Sequence, residues 1–174
     1  MLVASDIDPK RCDVHHFLYP ETSMVCGDIT EKETKDAIIK VIGKEKVDLI
    51  ISTPPCQGLS SVGKNKGKAL VQTDDPRNYL ILETFDFIDR LSPSFVIFEN
   101  VPQLLKIKLQ FDGIYLSVED ILIQKYSNDY NIDIKIFNTC NYGIPQSRER
   151  VFIRLSRKNM ICLLYTSDAA DEAR

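Results

Sequence analysis

The chain has few cysteines and histidines, and their spacing argues against metal sites and disulfide frameworks. The five cysteines form no Cys-x-x-Cys pair, and only His15 and His16 could add further metal ligands. A structural zinc site needs closely spaced cysteine or histidine ligands, so the sequence predicts no bound metal and no disulfide framework. No signal peptide or membrane span is visible in the 174 residues. These absences predict a reduced, cytoplasmic protein with no membrane partner.

A nucleotide-binding glycine fingerprint and net positive charge are also missing. No glycine fingerprint precedes Asp6, which argues against a nicotinamide-dependent dehydrogenase. The formal net charge is −3, so overall charge does not predict binding to nucleic acid. Any such contact must be local, through arginines and a lysine-rich segment between Ser60 and Asp74. The length is that of a single domain.

Short apolar runs alternate with helical patterns along the chain. Strands are predicted over 2–5, 24–26, 47–52, 95–98, 132–137 and 150–155. Helices are predicted from Asp8-Pro9 onward, over 31–42, over 75–91, after Pro102 and over 113–126. The helix over 31–42 is expected to place Ala37, Ile38, Val41 and Ile42 on one face. This alternation predicts an α/β fold with a doubly wound, mostly parallel sheet.

The most informative segment is Pro54-Pro55-Cys56-Gln57-Gly58-Leu59-Ser60, which follows the strand pattern of 47–52. A loop at the carboxyl end of a strand is where open α/β sheets bind their ligands. The prolines stiffen this loop and Gly58 allows a tight bend, so the Cys56 thiol is held in place. A positioned thiol is a candidate nucleophile, whereas most cysteines are small buried hydrophobic residues.

Two further segments bring polar groups to strand ends. The run 95–98 ends in Glu99-Asn100-Val101-Pro102, and Gln146-Ser147-Arg148-Glu149-Arg150 leads into an apolar run. A thiol, a carboxylate and paired arginines can together attack a heteroaromatic ring and hold its charge. Each residue alone also has a structural explanation. Glu99 could cap the helix after Pro102, Asn100 could be a turn residue, and the arginines could line the outer face of a strand.

Taken together, these segments resemble the signature blocks of the bacterial DNA cytosine-5 methyltransferases in order, spacing and residue identity. The resemblance runs from Ala4 to Arg154. It implies an incomplete Rossmann-like, S-adenosylmethionine-dependent methyltransferase fold. It also implies that a methyl group is transferred to carbon 5 of a cytosine flipped out of double-stranded DNA, as in restriction-modification systems.

The resemblance assigns a role to each matching residue. Cys56 adds as thiolate to carbon 6 of cytosine, which makes carbon 5 nucleophilic. Glu99 holds ring N3 and the exocyclic amine, and Arg148 contacts the carbonyl oxygen. Arg150 and Asn100 complete the catalytic set. Substrate binding is assigned to Pro55, Gln57, Ser60 and Gln146.

The front of the chain resembles the cofactor site. Asp6 stands where the family usually carries a glutamate for the ribose hydroxyls of S-adenosylmethionine, and its side chain is shorter. Asp28 and Ile29 resemble the acid that meets the adenine amine and the isoleucine that packs on the ring. Asp28 alone is also explained as a turn or cap residue. The implied cofactor set is Asp6, Ile7, Asp28, Ile29, Pro54 and Leu80.

The resemblance does not include the family's first strand with its Phe-x-Gly-x-Gly loop, nor its target-recognition region. We therefore expect a partial catalytic domain over 1–161 that is inactive alone. Residues 162–172 resemble the translation of a transposase-type sequencing adapter, so 162–174 are expected to be a non-native tail. An acidic helical tail is the alternative.

Two other functions stay open. An RNA (tRNA) cytosine-5 methyltransferase shares the fold, but its usual Cys-Phe-Thr block is not in this chain and Gly58-Leu59-Ser60 favours the bacterial DNA enzymes. A non-catalytic methyltransferase-like scaffold is the second alternative, and intact Cys56, Glu99 and Arg148 argue against it. A companion restriction endonuclease is a partner that the resemblance allows.

Overall fold

The computed structural model describes residues 1–55, 71–72 and 75–160. Three residues of the predicted site, Cys56, Gln57 and Ser60, lie outside the described residues, as does the tail beyond residue 160.

Strands and helices alternate along most of the described chain. The strands are β1 (Val3–Asp6), β2 (Ser23–Cys26), β3 (Leu49–Ser52), β4 (Val71–Gln72), β5 (Phe95–Asn100), β6 (Ile107–Phe111), β7 (Ile114–Ser117), β8 (Tyr130–Asn138) and β9 (Glu149–Arg157). The α-helices are α1 (Pro9–Leu18), α2 (Lys32–Ile42), α3 (Leu80–Leu91) and α4 (Val118–Tyr126). Short 3₁₀ helices form at Pro76–Tyr79, Pro102–Lys106 and Thr139–Tyr142.

The strands form three hydrogen-bonded groups. β1 and β2 are a parallel pair, and β3, β5, β9 and β8 form a four-stranded sheet in that order. Within the larger sheet, β3 and β5 are parallel, whereas β9 runs antiparallel to both of its neighbours. The third group is a small sheet of β4, β6 and β7. The predicted α/β fold class is confirmed, and two of its parallel pairs, β1–β2 and β3–β5, carry the predicted cofactor and nucleophile segments.

The main core lies between the four-stranded sheet and helices α3 and α4. Alternate residues of a strand share a face, so Val96 and Phe98 of β5 lie on the same side as Ile153 and Leu155 of β9. These side chains are fully buried. A smaller cluster of Ile38, Ile42 and Phe87 packs against Val3, Val25 and Ile50. Helix α2 therefore connects the β1–β2 pair with β3 through apolar contacts.

One predicted helix is partly wrong. The helix expected over 113–126 begins only at Val118, because residues 114–117 form β7 in a hairpin with β6. Asp112 and Gly113 at its tip have φ of 50° and 81°, as the tight turn of a two-residue hairpin requires. Ser117 then caps α4, since its hydroxyl accepts from the Asp120 backbone N–H at 3.0 Å.

Other boundaries differ in smaller ways. Helix α2 buries Thr34, Ile38 and Ile42, spaced four residues apart, and leaves Val41 exposed, contrary to the predicted face. The turn after Pro102 is a 3₁₀ helix rather than an α-helix. The predicted start of α1 is confirmed, because the Asp8 carboxylate accepts from the Lys10 N–H and Pro9 is the first helical residue. No helix in the described ranges is long and apolar enough to cross a bilayer.

Candidate active site

An ion pair joins two predicted catalytic residues across neighbouring strands. Glu99 lies near the end of β5, and Arg150 is the second residue of the adjacent β9. The Arg150 Nε lies 2.8 Å from the Glu99 Oε1, and the two side chains are 24% and 29% exposed. Such a charge-assisted hydrogen bond fixes the orientation of the carboxylate. The alternative role of Glu99 as a helix cap is wrong, because Val101 is the N-cap of the following 3₁₀ helix, which has no side-chain cap.

Asn100 connects the end of β5 to the segment that leads to Cys56. Its Nδ2 donates to the Pro54 carbonyl at 3.0 Å, and its Oδ1 accepts from the Val101 N–H at 2.8 Å. The side chain is only 5% exposed. Pro54 and Pro55 have no N–H to donate, so their backbone can be anchored only through its carbonyl groups. Asn100 provides such an anchor two residues before Cys56 and is more than an ordinary turn residue.

The turn between β8 and β9 carries Gln146 and Arg148. The Thr139 hydroxyl bonds both to the Gln146 carbonyl and to the Arg148 N–H. The Asn138 Nδ2 lies 3.2 Å from the Ser147 Oγ. Arg148 is exposed, whereas Arg150 is half-buried on the strand. The two arginines are thus held by different contacts, one by a turn and the other by Glu99.

An open cleft of about 580 Å³ lies where β5 ends and β9 begins. Both Arg148 and Arg150 line it, together with the 3₁₀ turn that follows Glu99 and Asn100. The full lining is Val101, Pro102, Gln103, Asn138, Ser147, Arg148, Glu149 and Arg150. The cleft is therefore polar and basic, which suits a ligand with carbonyl or phosphate oxygens.

Four polar residues of this region did not stand out in the sequence. Gln103, Asn138 and Ser147 line the cleft, and Thr139 supports it from the turn. The signal that could have found Asn138 and Thr139 is their position at the end of a strand, directly before the turn that carries Arg148. Position alone does not show which carbonyl or amide a short polar side chain will reach.

A second candidate site, with acidic side chains, lies at the carboxyl ends of β1 and β2. Asp6 pairs in register with Cys26, and the Asp6 carbonyl accepts from the Gly27 N–H at 3.0 Å. The Asp6 Oδ1 accepts from the Asp8 N–H at 2.9 Å, and its Oδ2 lies 3.6 Å from an Arg11 nitrogen. The structure thus brings Asp6 and the Gly27-Asp28 turn to one edge of the parallel pair.

Asp28 is held by its own turn. Its Oδ1 accepts from the Thr30 N–H at 2.9 Å and from the Thr30 hydroxyl at 2.8 Å. These bonds favour the carboxylate form and hold the pKa of Asp28 below its usual value. Asp28 therefore stabilises its turn, as the alternative explanation from the sequence proposed. Its second oxygen, Oδ2, takes no part in these two bonds.

The surroundings fit the adenosine part of S-adenosylmethionine. Two carboxylates at one edge of a parallel pair can accept from ribose hydroxyls and from an adenine amine. Ile7, which follows Asp6, is 63% exposed, which is unusual for an isoleucine and suits packing on an aromatic ring. Ile29 packs against the cluster around Ile38. Leu80, at the start of α3, is half-buried and does not belong to that cluster.

Gly27 allows the close approach of α2 to this edge. A Cβ added there would lie 2.5 Å from the Thr34 Oγ1 and 3.2 Å from its Cγ2. Thr34 is buried and β-branched, so it cannot easily turn away. We expect Gly27→Ala to lower the free energy of unfolding by about 1–3 kcal/mol and to weaken S-adenosylmethionine binding.

Urea denaturation and calorimetry would measure both effects. The matched test is Gly27→Ala with Thr34→Ala, which removes both clashing atoms and should recover most of the loss. A Gly27→Ala protein as stable as the original would show that the turn has room that the structure does not indicate.

The described residues bring together no group of three histidine, cysteine or acidic side chains that could hold a metal ion.

Comparison with solved structures gives the class of protein. The fold matches a putative DNA modification methyltransferase encoded within an E. coli prophage, with a TM-score of 0.65 and 26% identity, over 90% of this chain and 40% of that one. It also matches Spodoptera frugiperda DNMT2, with a TM-score of 0.63 and 25% identity, over 95% of this chain and 45% of that one. The chain therefore has a Rossmann-like methyltransferase fold.

Comparison of sequences gives the family. The model of the C-5 cytosine-specific DNA methylases matches residues 1–171, and the chain belongs to this family. It is 36% identical to the Type II methyltransferase M1.HgaI of Avibacterium volantium, over 92% of this chain and 45% of that protein. It is also 36% identical to M.DdeI of Desulfomicrobium norvegicum, over 87% of this chain and 34% of that protein. The chain thus spans less than half the length of these relatives.

Proposed function

We propose that the protein to which this chain belongs methylates carbon 5 of cytosine in double-stranded DNA, through a covalent adduct with Cys56. The observation that carries the proposal is the Glu99–Arg150 pair beside a basic cleft that Arg148 also lines. A carboxylate held by one arginine, with a second arginine nearby, matches the donors and acceptors along one edge of cytosine. Relatives named Type II methyltransferases support DNA as the substrate.

In the first step Cys56 attacks the base, and Asn100 helps to position Cys56. The Cys56 thiolate adds to carbon 6 of the flipped cytosine, and the electron pair of the 5,6 double bond becomes available at carbon 5. Asn100 holds the Pro54 carbonyl two residues earlier, so it limits the positions that the thiolate can take. S-adenosylmethionine, when bound, supplies the electrophilic methyl group. Loss of the carbon 5 proton and of the thiolate then restores the aromatic ring.

Glu99 and the arginines orient the base during this sequence. One Glu99 oxygen accepts from the exocyclic amine, the other shares a proton with ring N3, and Arg148 donates to the carbonyl oxygen. Arg150 contacts Glu99 in the structure, so its role is to keep the carboxylate aimed rather than to bind the base first. At the other edge, Asp6 accepts from the ribose and Asp28 from the adenine amine of the cofactor.

The setting of the activity is part of the same proposal. The cleft is open and basic where the DNA backbone would approach, although the protein is acidic overall. We place the enzyme in the bacterial cytoplasm, with a companion restriction endonuclease as a partner that recognises the same target. An RNA substrate is the alternative, and comparing DNA and tRNA as methyl acceptors decides between them.

Glu99→Gln in the full-length enzyme is expected to slow the chemical step by about 10²-fold or more, because an amide cannot share a proton with ring N3 as carbon 6 is attacked. Affinity for S-adenosylmethionine should change little, since Glu99 contacts Arg150 of the cleft lining and lies on β5, not at the β1–β2 edge. Single-turnover kinetics and calorimetry would measure the two quantities.

Glu83→Gln is a matched control for this substitution. Glu83 forms an ion pair of 2.5 Å with Lys35 and is 26% exposed, comparable to Glu99, but it lies on α3 outside the cleft. Its loss should leave the chemical step unchanged. Equal losses of rate and cofactor affinity in Glu99→Gln would contradict the role assigned to this carboxyl group.

A further inference from the structure

The turn between β8 and β9 is held together by one side chain. Thr139 bonds to both ends of Gln146-Ser147-Arg148. Its Oγ1 accepts from the Arg148 N–H at 3.1 Å and donates to the Gln146 carbonyl. Its own N–H donates to the Arg148 carbonyl at 3.1 Å. Thr139 therefore controls the backbone on both sides of Ser147.

The hydroxyl replaces a missing backbone acceptor. Antiparallel register pairs Asn138 with Glu149, so the next pair is Thr139 with Arg148. In a regular ladder such a pair exchanges two N–H···O=C bonds. Only one is made here, because the Thr139 carbonyl turns away and accepts from the Gly143 and Ile144 N–H groups. The hydroxyl supplies the second bond, which the Arg148 N–H would otherwise lack.

We propose that Thr139 is a positioning residue that sets how Arg148 enters the cleft. This inference rests on the proposed function, since it matters only where Arg148 contacts the substrate. Arg148 is exposed, so its guanidinium is directed mainly by its backbone. Thr139 fixes that backbone by two hydrogen bonds, and Asn138 supports the intervening Ser147. The same contact holds the Gln146 carbonyl, so both predicted substrate contacts of the turn depend on one hydroxyl.

Two substitutions in the full-length enzyme separate the hydroxyl from the shape of the residue. Thr139→Val keeps the β-branched shape and removes the hydroxyl, and Thr139→Ser keeps the hydroxyl and removes a methyl group. We expect Thr139→Val to lower the single-turnover rate of methyl transfer by about 10-fold or more, as misplacement of a catalytic group does. Thr139→Ser should stay close to the wild-type rate, and the KM for S-adenosylmethionine should be unchanged in both variants.

Thr84→Val is the matched control for a lost hydroxyl. Thr84 is a buried residue of α3, and its Oγ1 lies 2.7 Å from the Ser52 Oγ at the end of β3, on different elements from the β8–β9 turn. The Thr84→Val substitution should lower the melting temperature at least as much as Thr139→Val does, but it should not cause the same loss in the single-turnover rate of methyl transfer. If the rates of both valine variants simply follow their melting temperatures, Thr139 has only a structural role and the proposal is overturned.

A double-mutant cycle tests whether Thr139 acts through Arg148. In an Arg148→Ala background, Thr139→Val should cause little further loss of rate, because the group that it positions is gone. Full additivity of the two losses would overturn the proposal.

Amide hydrogen exchange tests the contact without using activity. The Arg148 amide should exchange at similar rates in wild type and Thr139→Ser, and about 10-fold faster in Thr139→Val. Unchanged exchange in Thr139→Val would overturn the assigned hydrogen bond. An enzyme that methylates no DNA but shows this exchange pattern would refute the proposed function and leave the Thr139–Arg148 contact standing.

Discussion

Replacing Cys56 with serine or alanine in the full-length methyltransferase is expected to reduce methyl transfer to DNA by roughly 10³-fold or more, as when other enzymes lose a nucleophile. A serine hydroxyl is rarely ionised at neutral pH, so it cannot replace the thiolate. Alanine removes the nucleophile altogether. Base binding in the cleft should persist, because Arg148 and the Glu99–Arg150 pair are unchanged. The rate of tritium transfer from labelled S-adenosylmethionine to DNA measures the effect.

Trapping identifies the covalent step. DNA with 5-fluorocytosine at the target should form a stable adduct with wild-type enzyme, because fluorine cannot leave as the carbon 5 proton does. The adduct should map to Cys56 by mass spectrometry and be missing in Cys56→Ala. Cys140→Ser is the matched control, since Cys140 is an exposed, unbridged cysteine. A Cys56→Ala enzyme that methylates at a rate near wild type would remove the mechanism.

Features set by neighbours in the chain were predictable from the sequence. Asp8 followed by Pro9 predicted the start of α1, because an N-cap and a first-turn proline act within one helical turn. Likewise, the apolar run ending at Glu99 predicted β5 and placed the carboxylate at a strand end. Such signals depend only on neighbouring residues, so they can be interpreted without knowing which distant segments pack together.

Features set by long-range contacts were not predictable in the same way. The hairpin of β6 and β7 depends on Asp112 and Gly113 in a tight turn, and its apolar residues also fit a helical pattern. The ion pair of Glu99 with Arg150 needs β5 and β9 to be neighbours, a pairing across about 50 residues of chain that no local pattern specifies. Thr139 is the clearest case. Its hydroxyl bonds to the Arg148 N–H only because its own carbonyl group accepts from residues of the turn instead.

The 174-residue chain contains surfaces that need a partner. Within the described ranges, β1 pairs only with β2, and β3 pairs on one edge only, with β5. Leu49 and Ile51 of β3 are 45% and 61% exposed, so one face of that strand is apolar and open. Open strand edges with apolar faces favour association with other chains. M1.HgaI and M.DdeI are more than twice as long as the part that this chain matches, so their remaining residues are available to cover such surfaces.

The chain alone is therefore expected to transfer no methyl group from S-adenosylmethionine to mixed-sequence DNA, and to be poorly soluble. Within the described ranges, β1 and β3 each have an edge without a paired strand, and these two strands lead into the predicted cofactor and nucleophile segments. Small displacements of positioned groups cost large factors in rate, so unpaired edges beside these segments should abolish turnover. Tritium incorporation by the purified chain tests this, with the full-length enzyme as the positive control. Robust incorporation by the chain, lost on Cys56→Ala, would show that the site needs none of this additional surface.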